Sequence, residues 1–130
     1  MARLSTYCIY TILHSDELRR QIAVGGRHSL TERTAWKTGS HLWAEAERSG
    51  ERIPIVFSGA DRATGLYCWA AIDDITVMHE NQQTTCSYSS LREISPPRPL
   101  SALRLRNGNR QLSDGYIRPY AICDTPSFLA

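Results

Sequence analysis

The segment Leu66–Met78, with the sequence LYCWAAIDDITVM, is predicted to be a β-strand because it is rich in β-branched, aromatic and other apolar side chains. The run is long for one straight strand, and the adjacent acids Asp73 and Asp74 predict a bend or a β-bulge. Without a bulge, two neighbouring strand residues point to opposite faces and cannot both enter one pocket. The alternation leaves open whether the face of Trp69 or the face of Cys68 is the interior.

Further strands are predicted on both sides of this segment. Residues 52–58 have a two-residue period, and the turn at 59–65, rich in Gly and Asp, joins them to it. A strand over 84–94 follows a polar turn. Residues 95–99, Ser-Pro-Pro-Arg-Pro, are expected to be a connector outside any central ladder, since three of them lack an amide donor. The last strands are predicted at 100–106, 111–115 and 117–123.

The N-terminal part of the chain adds one strand and two helices. Residues 5–13 are β-branched and aromatic, and a short helix is predicted from Ser15 to the Gly25-Gly26 pair. A second, amphipathic helix is predicted from Thr38 or Ser40 to about Gly50. Because a sheet of few strands tends to close on itself, we predict a single α+β domain over 1–130. Its expected form is a small mixed or antiparallel five- to six-stranded β-barrel, with two or three helices packed at one end.

Composition sets limits on function. The net charge of +2 gives no general argument for nucleic acid, but residues 92–130 hold six arginines and three acidic residues. Arginine outnumbers lysine 14 to 1, which suits planar contacts with phosphate and equally fits a coding bias.

The four cysteines are widely spaced, so we expect buried, reduced thiols and no metal or cofactor. No apolar run opens the chain, and we expect a cytoplasmic protein without a membrane span.

The segment 25–33, GGRHSLTER, is the strongest candidate for a site. It combines a flexible glycine pair with an imidazole, two hydroxyls and two guanidiniums, and it is expected to be a polar loop between the helices. In the functional interpretation Arg33 binds phosphate or carboxylate while His28 and Thr31 face a base. Trp36 could then stack on the base or fill the end of the barrel. The alternative is a solvated connection in which Thr31 or Ser29 only caps a helix.

Gly26, His28, Thr31 and Arg33 resemble the signature of ASCH domains, in which Gly, Lys, an acid or Thr, and Arg occupy this spacing. The order of predicted elements is also similar to the PUA-like superfamily that contains them. His28 replaces the motif lysine. The resemblance implies recognition of RNA or of a modified base in a cleft beside the barrel.

Some ASCH proteins are amidohydrolases that deacylate an acylated nucleoside. Carried over to this sequence, Thr31 would be the nucleophile-like hydroxyl, His28 would take the place of the lysine, and Asp73 or Asp74 would be the strand carboxylate. The expected ligand-binding residues are Gly26, Arg27, Arg33, Trp36 and Lys37. The expected nucleic-acid contacts, in a possible arginine stripe, are Arg104, Arg106 and Arg118.

Three functions therefore stay open. The first is a module that binds RNA or a nucleobase, the second is a small amidohydrolase acting on an N-acylated nucleoside, and the third is a protein-interaction domain of a larger complex.

Overall fold

The computed structural model of the chain describes residues 3–59, 65–78, 80, 82–106, 111 and 120–129. Its helices and strands are, in chain order, β1 (Arg3–Leu4), β2 (Tyr7–Leu13), α1 (Ser15–Val24), β3 (Arg27–Glu32), α2 (Lys37–Arg48), β4 (Glu51–Arg52), β5 (Pro54–Gly59), β6 (Leu66–Met78), β7 (Gln83–Arg98), the 3-10 turn η1 (Leu100–Ala102) and β8 (Ala121–Asp124).

Six strands form one mixed sheet in the order β3-β7-β6-β5-β2-β8, and β1 and β4 form a second, two-stranded parallel pair. All neighbours in the large sheet are antiparallel except β2 and β5, which run parallel. The α+β prediction is confirmed. Closure into a barrel is not, because β3 and β8 lie at opposite ends of the order and do not pair in the described part of the chain.

Both helices pack on one face of the sheet, where they cover the larger core. Leu18 of α1 and Ala46 of α2 join Ile55 of β5 and Tyr88 of β7 there. The first helix ends at Val24, and the following Gly25 has φ 73° and ψ −173°, a backbone conformation that essentially only glycine adopts.

The opposite face carries a second core, formed where the chain crosses back over the sheet after β7. Leu100 and Leu103 pack there with Trp69 of β6 and with Leu129 of the C-terminal segment. Both faces of β6 are therefore buried, since Cys68 belongs to the first core and Trp69 to the second.

The predicted bulge at the acid pair is confirmed. Ile72 pairs with Tyr88 and Asp74 pairs with Ser87, so Asp73 is an extra residue in β6. This bulge releases Asp73 from the strict alternation of the strand.

Two predictions about irregular segments were wrong. Residues 27–32 form β3 instead of a loop, because β7 supplies a six-residue antiparallel partner. The proline-rich residues 95–98 continue β7 instead of acting only as a connector. In the described residues this part of β7 pairs with β6 alone, so a missing amide donor can lie on the unpaired side. The strand predicted at 100–106 was also wrong, because residues 100–102 form η1 and Arg104 and Leu105 form isolated bridges. Residues 107–110 and 112–119 of the C-terminal predictions lie outside the described residues.

Candidate functional site

The predicted site residues divide between the two faces of β3. Leu30 is buried and His28 is half-buried on the side of the helices, whereas Arg27, Ser29 and Thr31 are exposed on the other side. Successive strand residues alternate in direction, so the imidazole of His28 and the hydroxyl of Thr31 point to opposite faces. The expected shared hollow for the two groups is not formed.

Thr31 and Arg27 belong to a polar surface, which we call the outer face. It consists of three cross-strand rows on β3, β7 and β6: Arg27, Ser89 and Ala71; Ser29, Ser87 and Asp74; Thr31, Thr85 and Thr76. Within the described chain, no hydrogen bond engages the hydroxyls of Ser29, Thr31, Thr85 or Ser87. The outer face therefore presents hydroxyl groups that can donate and accept hydrogen bonds.

Two predicted site residues, Asp73 and Arg27, contact each other at the edge of this face. Its carboxylate forms ion pairs with Arg52 and with Arg27, whose Nε lies 3.6 Å from Oδ2. The hydroxyl of Ser89 also donates to Oδ1 at 3.2 Å. Asp73 is thus a carboxylate whose charge is balanced by two guanidiniums, as in a structural ion-pair cluster. His28 does not contact it.

A pocket of about 320 Å³ lies beside Asp73, lined by Glu47, Gly50, Glu51, Arg52, Ile72 and Asp73. Its size falls within the range of small-molecule sites. Its one guanidinium, on Arg52, is engaged by Asp73 and by the carbonyls of Ala71 and Ile72 at 3.5 and 3.3 Å. Because three carboxylates line the pocket, its charge does not suit a phosphate.

On the helix side, His28 lies beside a chain of hydrogen bonds. The hydroxyl of Tyr88 donates to Oε1 of Gln21 at 2.7 Å, and Nε2 of Gln21 donates to Glu17 at 2.8 Å. Hydrogen bonds from Arg20 and Gln21 lower the pKa of Glu17 to about 2. The ring of His28 is tilted against Tyr88 at 6.5 Å, and its buried Nε2 has no hydrogen-bond partner among the described residues.

Trp36 is fully buried just before α2 and stacks on Tyr120 at 4.5 Å between ring centres. Its backbone N–H donates to the hydroxyl of Thr84 at 2.8 Å. The ring is therefore enclosed in the core and is not open to a base in this conformation.

The other predicted ligand-binding residues flank β3. Gly26 precedes it with a φ of 81°, Arg33 is exposed directly after it, and Lys37 is exposed as the first residue of α2. None of the three lies on the outer face.

Three arginines of the C-terminal third are supported by aromatic rings. The distances from guanidinium carbon to ring centre are 4.7 Å for Arg92 over Trp69, 4.6 Å for Arg98 over Phe128 and 4.9 Å for Arg106 over Tyr7. A stacked guanidinium is held by its flat face, so N–H groups in its plane can still reach a ligand. In Arg92 the Nε–H donates to the carbonyl oxygen of Ser90 at 3.2 Å, and the terminal N–H groups are the ones left for a ligand.

Of these three, only Arg106 was selected from the sequence. Arg104 forms an isolated antiparallel β-bridge with Gln111, and Arg118 lies outside the described residues. Arg92 and Arg98 were missed; the one signal for them was the surplus of basic residues in 92–130.

Charge pairing separates these arginines from five of the arginines in the N-terminal half. In the part of the chain that the structure describes, salt bridges engage Arg3, Arg19, Arg20, Arg27 and Arg52. Arg92, Arg98 and Arg106 form none there and are exposed. Their charge is therefore available to an anionic partner.

No family model matches this chain, and no curated protein matches its sequence. Within the described residues, no helix has the length and apolar character needed to cross a membrane. No group of three or more His, Cys, Asp or Glu side chains there is arranged to bind a metal ion.

Proposed function

We propose that this protein is a nucleic-acid-binding module that holds single-stranded RNA through Arg92, Arg98 and Arg106. The observation that supports this most directly is that each of the three exposed guanidiniums rests on an aromatic ring and has no carboxylate partner in the described chain. Arginine in this state pairs well with phosphate, because two parallel N–H groups match two phosphate oxygens.

Arg92 and Arg98 form the main part of the proposed interface. They lie opposite Trp69 and Leu66 of β6, on the face of the sheet that carries the second core. The segment of β7 between them is an edge in the described chain, so an extended RNA backbone could follow it. Arg106 lies beside Tyr7, next to the strand at the other end of the sheet.

The PUA-like, ASCH-type relationship is part of the same proposal. It is supported by the strand and helix order before the antiparallel strands and by the placement of Gly26, His28, Thr31 and Arg33. In that relationship a base would lie near β3 while the arginines contact the backbone. The amidohydrolase alternative lacks the required geometry, since His28 and Thr31 point to opposite faces of β3.

The experiment is fluorescence anisotropy with a labelled single-stranded RNA of mixed sequence. The test variant replaces Arg92, Arg98 and Arg106 by Ala, and the control variant replaces Arg3, Arg19 and Arg20, which are exposed arginines paired with carboxylates. Both variants lose three positive charges. We expect the test variant to bind at least about tenfold more weakly and the control to change by about twofold or less. If both variants lose the same affinity for RNA, the loss is due to total charge and not to these three arginines, which contradicts the proposal. Absence of RNA binding by the unaltered protein would also contradict it.

A further inference from the structure

In the part of the chain that the structure describes, strand β3 is paired along one long side only. In the described chain it pairs only with β7, and it is the terminal strand of the sheet. In an antiparallel ladder, alternate residues direct their N–H and C=O groups to one neighbour and the remainder to the other side. About half of the backbone groups of β3 are therefore directed away from the sheet, which is the arrangement to which a further strand can add.

A second copy of β3 fits this edge in only one kind of register. A two-fold axis perpendicular to the sheet keeps each face continuous and makes the two strands antiparallel. Outward-directed residues must also meet outward-directed residues, so each residue pairs with one of the same parity. With the axis at Leu30, residues 28–32 of the strand pair: His28 lies opposite Glu32 of the second copy, Ser29 opposite Thr31, and Leu30 opposite Leu30. Arg27 lies opposite Arg33, which follows the strand.

Over residues 28–32 the side chains are self-complementary in this register. The imidazole of His28 meets a carboxylate, two hydroxyls meet on the outer face, and the leucines meet on the core side. Registers shifted by two residues place Leu30 opposite His28 or Glu32, so they lose these matches.

Of the two polar members of the pair, Glu32 has no charged partner in the described part of the chain, whereas His28 lies near Glu17 of its own chain and helps to lower the pKa of that carboxyl. The buried Nε2 of His28 has no hydrogen bond, and Glu32 is half-buried and forms no salt bridge in the described part of the molecule. Partial burial raises the pKa of Glu32, which shows that the carboxylate loses hydration without compensation there. An imidazole supplied across the edge would compensate it.

We propose that β3 pairs with β3 of a second copy of this chain, in antiparallel register about Leu30, so that the sheet runs continuously through a two-fold dimer. This assembly does not use Arg92, Arg98 or Arg106, which lie on other strands and segments. A two-fold interface of this kind uses the same patch on both copies.

The register can be tested with two cysteine variants, Ser29→Cys and Thr31→Cys, at exposed positions of β3. In the proposed dimer residue 29 faces residue 31 of the other copy, within the Cα separation that a disulfide can span. Mild oxidation by a small-molecule disulfide should therefore link a mixture of the two variants, with two thiols oxidised as the reagent is reduced to thiols. Each variant alone should give little or no linked dimer. Linkage within single variants that equals the mixture, or no linkage in the mixture, would overturn the register.

The association itself is measured by light scattering and analytical ultracentrifugation of the full chain. We expect a species with twice the 14.7 kDa mass, and Glu32→Lys should weaken its association about tenfold by removing the carboxylate that faces His28. The exposed α2 substitution Glu47→Lys is the control and should leave association unchanged. A chain that stays monomeric at its solubility limit, or a dimer equally tolerant of both substitutions, would refute the proposal.

Discussion

The guanidinium carbon of Arg92 lies 4.7 Å from the centre of the Trp69 ring, across a β6–β7 pair in which the two residues face each other directly. Trp69 is buried, so its position is fixed by the core beneath it. The ring therefore holds a charged side chain at the surface and reduces the conformational entropy that Arg92 would lose on binding.

This relationship predicts that Arg92→Lys weakens RNA binding even though the charge is kept. A lysine ammonium lacks the planar fork that stacks on the ring and pairs with two phosphate oxygens. We expect a loss of about three- to tenfold by anisotropy, on the order of 1 kcal/mol. Arg48→Lys in the last turn of α2 is the control and should have no effect. Equal affinity of Arg92→Lys and the unaltered protein would show that only the charge matters.

Asp73 predicts a stability effect. It holds Arg27 and Arg52 and accepts a hydrogen bond from Ser89, so Asp73→Ala leaves a half-buried guanidinium without its anion. We expect a decrease of about 1–3 kcal/mol in the free energy of unfolding, measured in urea.

The matched control is Asp16→Ala, which removes the exposed partner of Arg19 on α1. An exposed pair of this kind contributes little, so no measurable change is expected. Equal effects of the two substitutions would show that the Asp73 cluster is no more than a surface ion pair.

The buried hydrogen bond between Tyr88 and Gln21 gives a third prediction. Tyr88→Phe leaves Oε1 of Gln21 buried without its donor and should cost about 1–3 kcal/mol. The double variant Tyr88→Phe/Gln21→Leu removes both polar groups and should lose less than the sum of the single changes. Urea unfolding of all four proteins measures the coupling, and strict additivity would contradict the assigned bond.

The four cysteines should be protected from alkylation in the native protein. All four are free and buried, and burial raises the pKa of Cys68, Cys86 and Cys123 to about 12 and that of Cys8 well above its usual value. The thiolate is the reactive form, so iodoacetamide at pH 8 should modify these thiols far more slowly in folded than in urea-unfolded protein, as read by intact mass.

The same shifts fix the sign of a pH effect. Folding favours the neutral thiols. Their contribution to stability is therefore unchanged below the ordinary pKa of 9.0, and it falls as the pH rises above that value, where the thiols of the unfolded chain ionise.

A cysteine that alkylates at the same rate in the native and unfolded states would contradict its burial.

The sequence was most informative where apolar periodicity was strong. The bounds predicted for the Leu66–Met78 strand are those observed, and the bulge at Asp73 followed from an acid pair that a regular strand cannot accommodate on one side. Strand β3 was missed because Leu30 is its only buried residue, and its conformation depends on pairing with β7 instead of on local preference.

The candidate interface was less accessible to sequence reasoning. The stacking of Arg92 on Trp69 depends on a pairing register that shifts between Trp69 and Ala71, and local sequence does not encode that shift. The grouping of His28 with Thr31 assumed a loop, in which neighbouring side chains can converge. A strand separates them by alternation.

The most direct test of the proposed function is the salt dependence of single-stranded RNA binding by the unaltered protein and by the variant in which Arg92, Arg98 and Arg106 are replaced by Ala. Each phosphate contact to single strands contributes roughly 0.7 to the slope of log affinity against log salt concentration. The account predicts a slope shallower by about 2 for the variant, with the slope unchanged in the Arg3, Arg19 and Arg20 control. The same slope for all three proteins would contradict it.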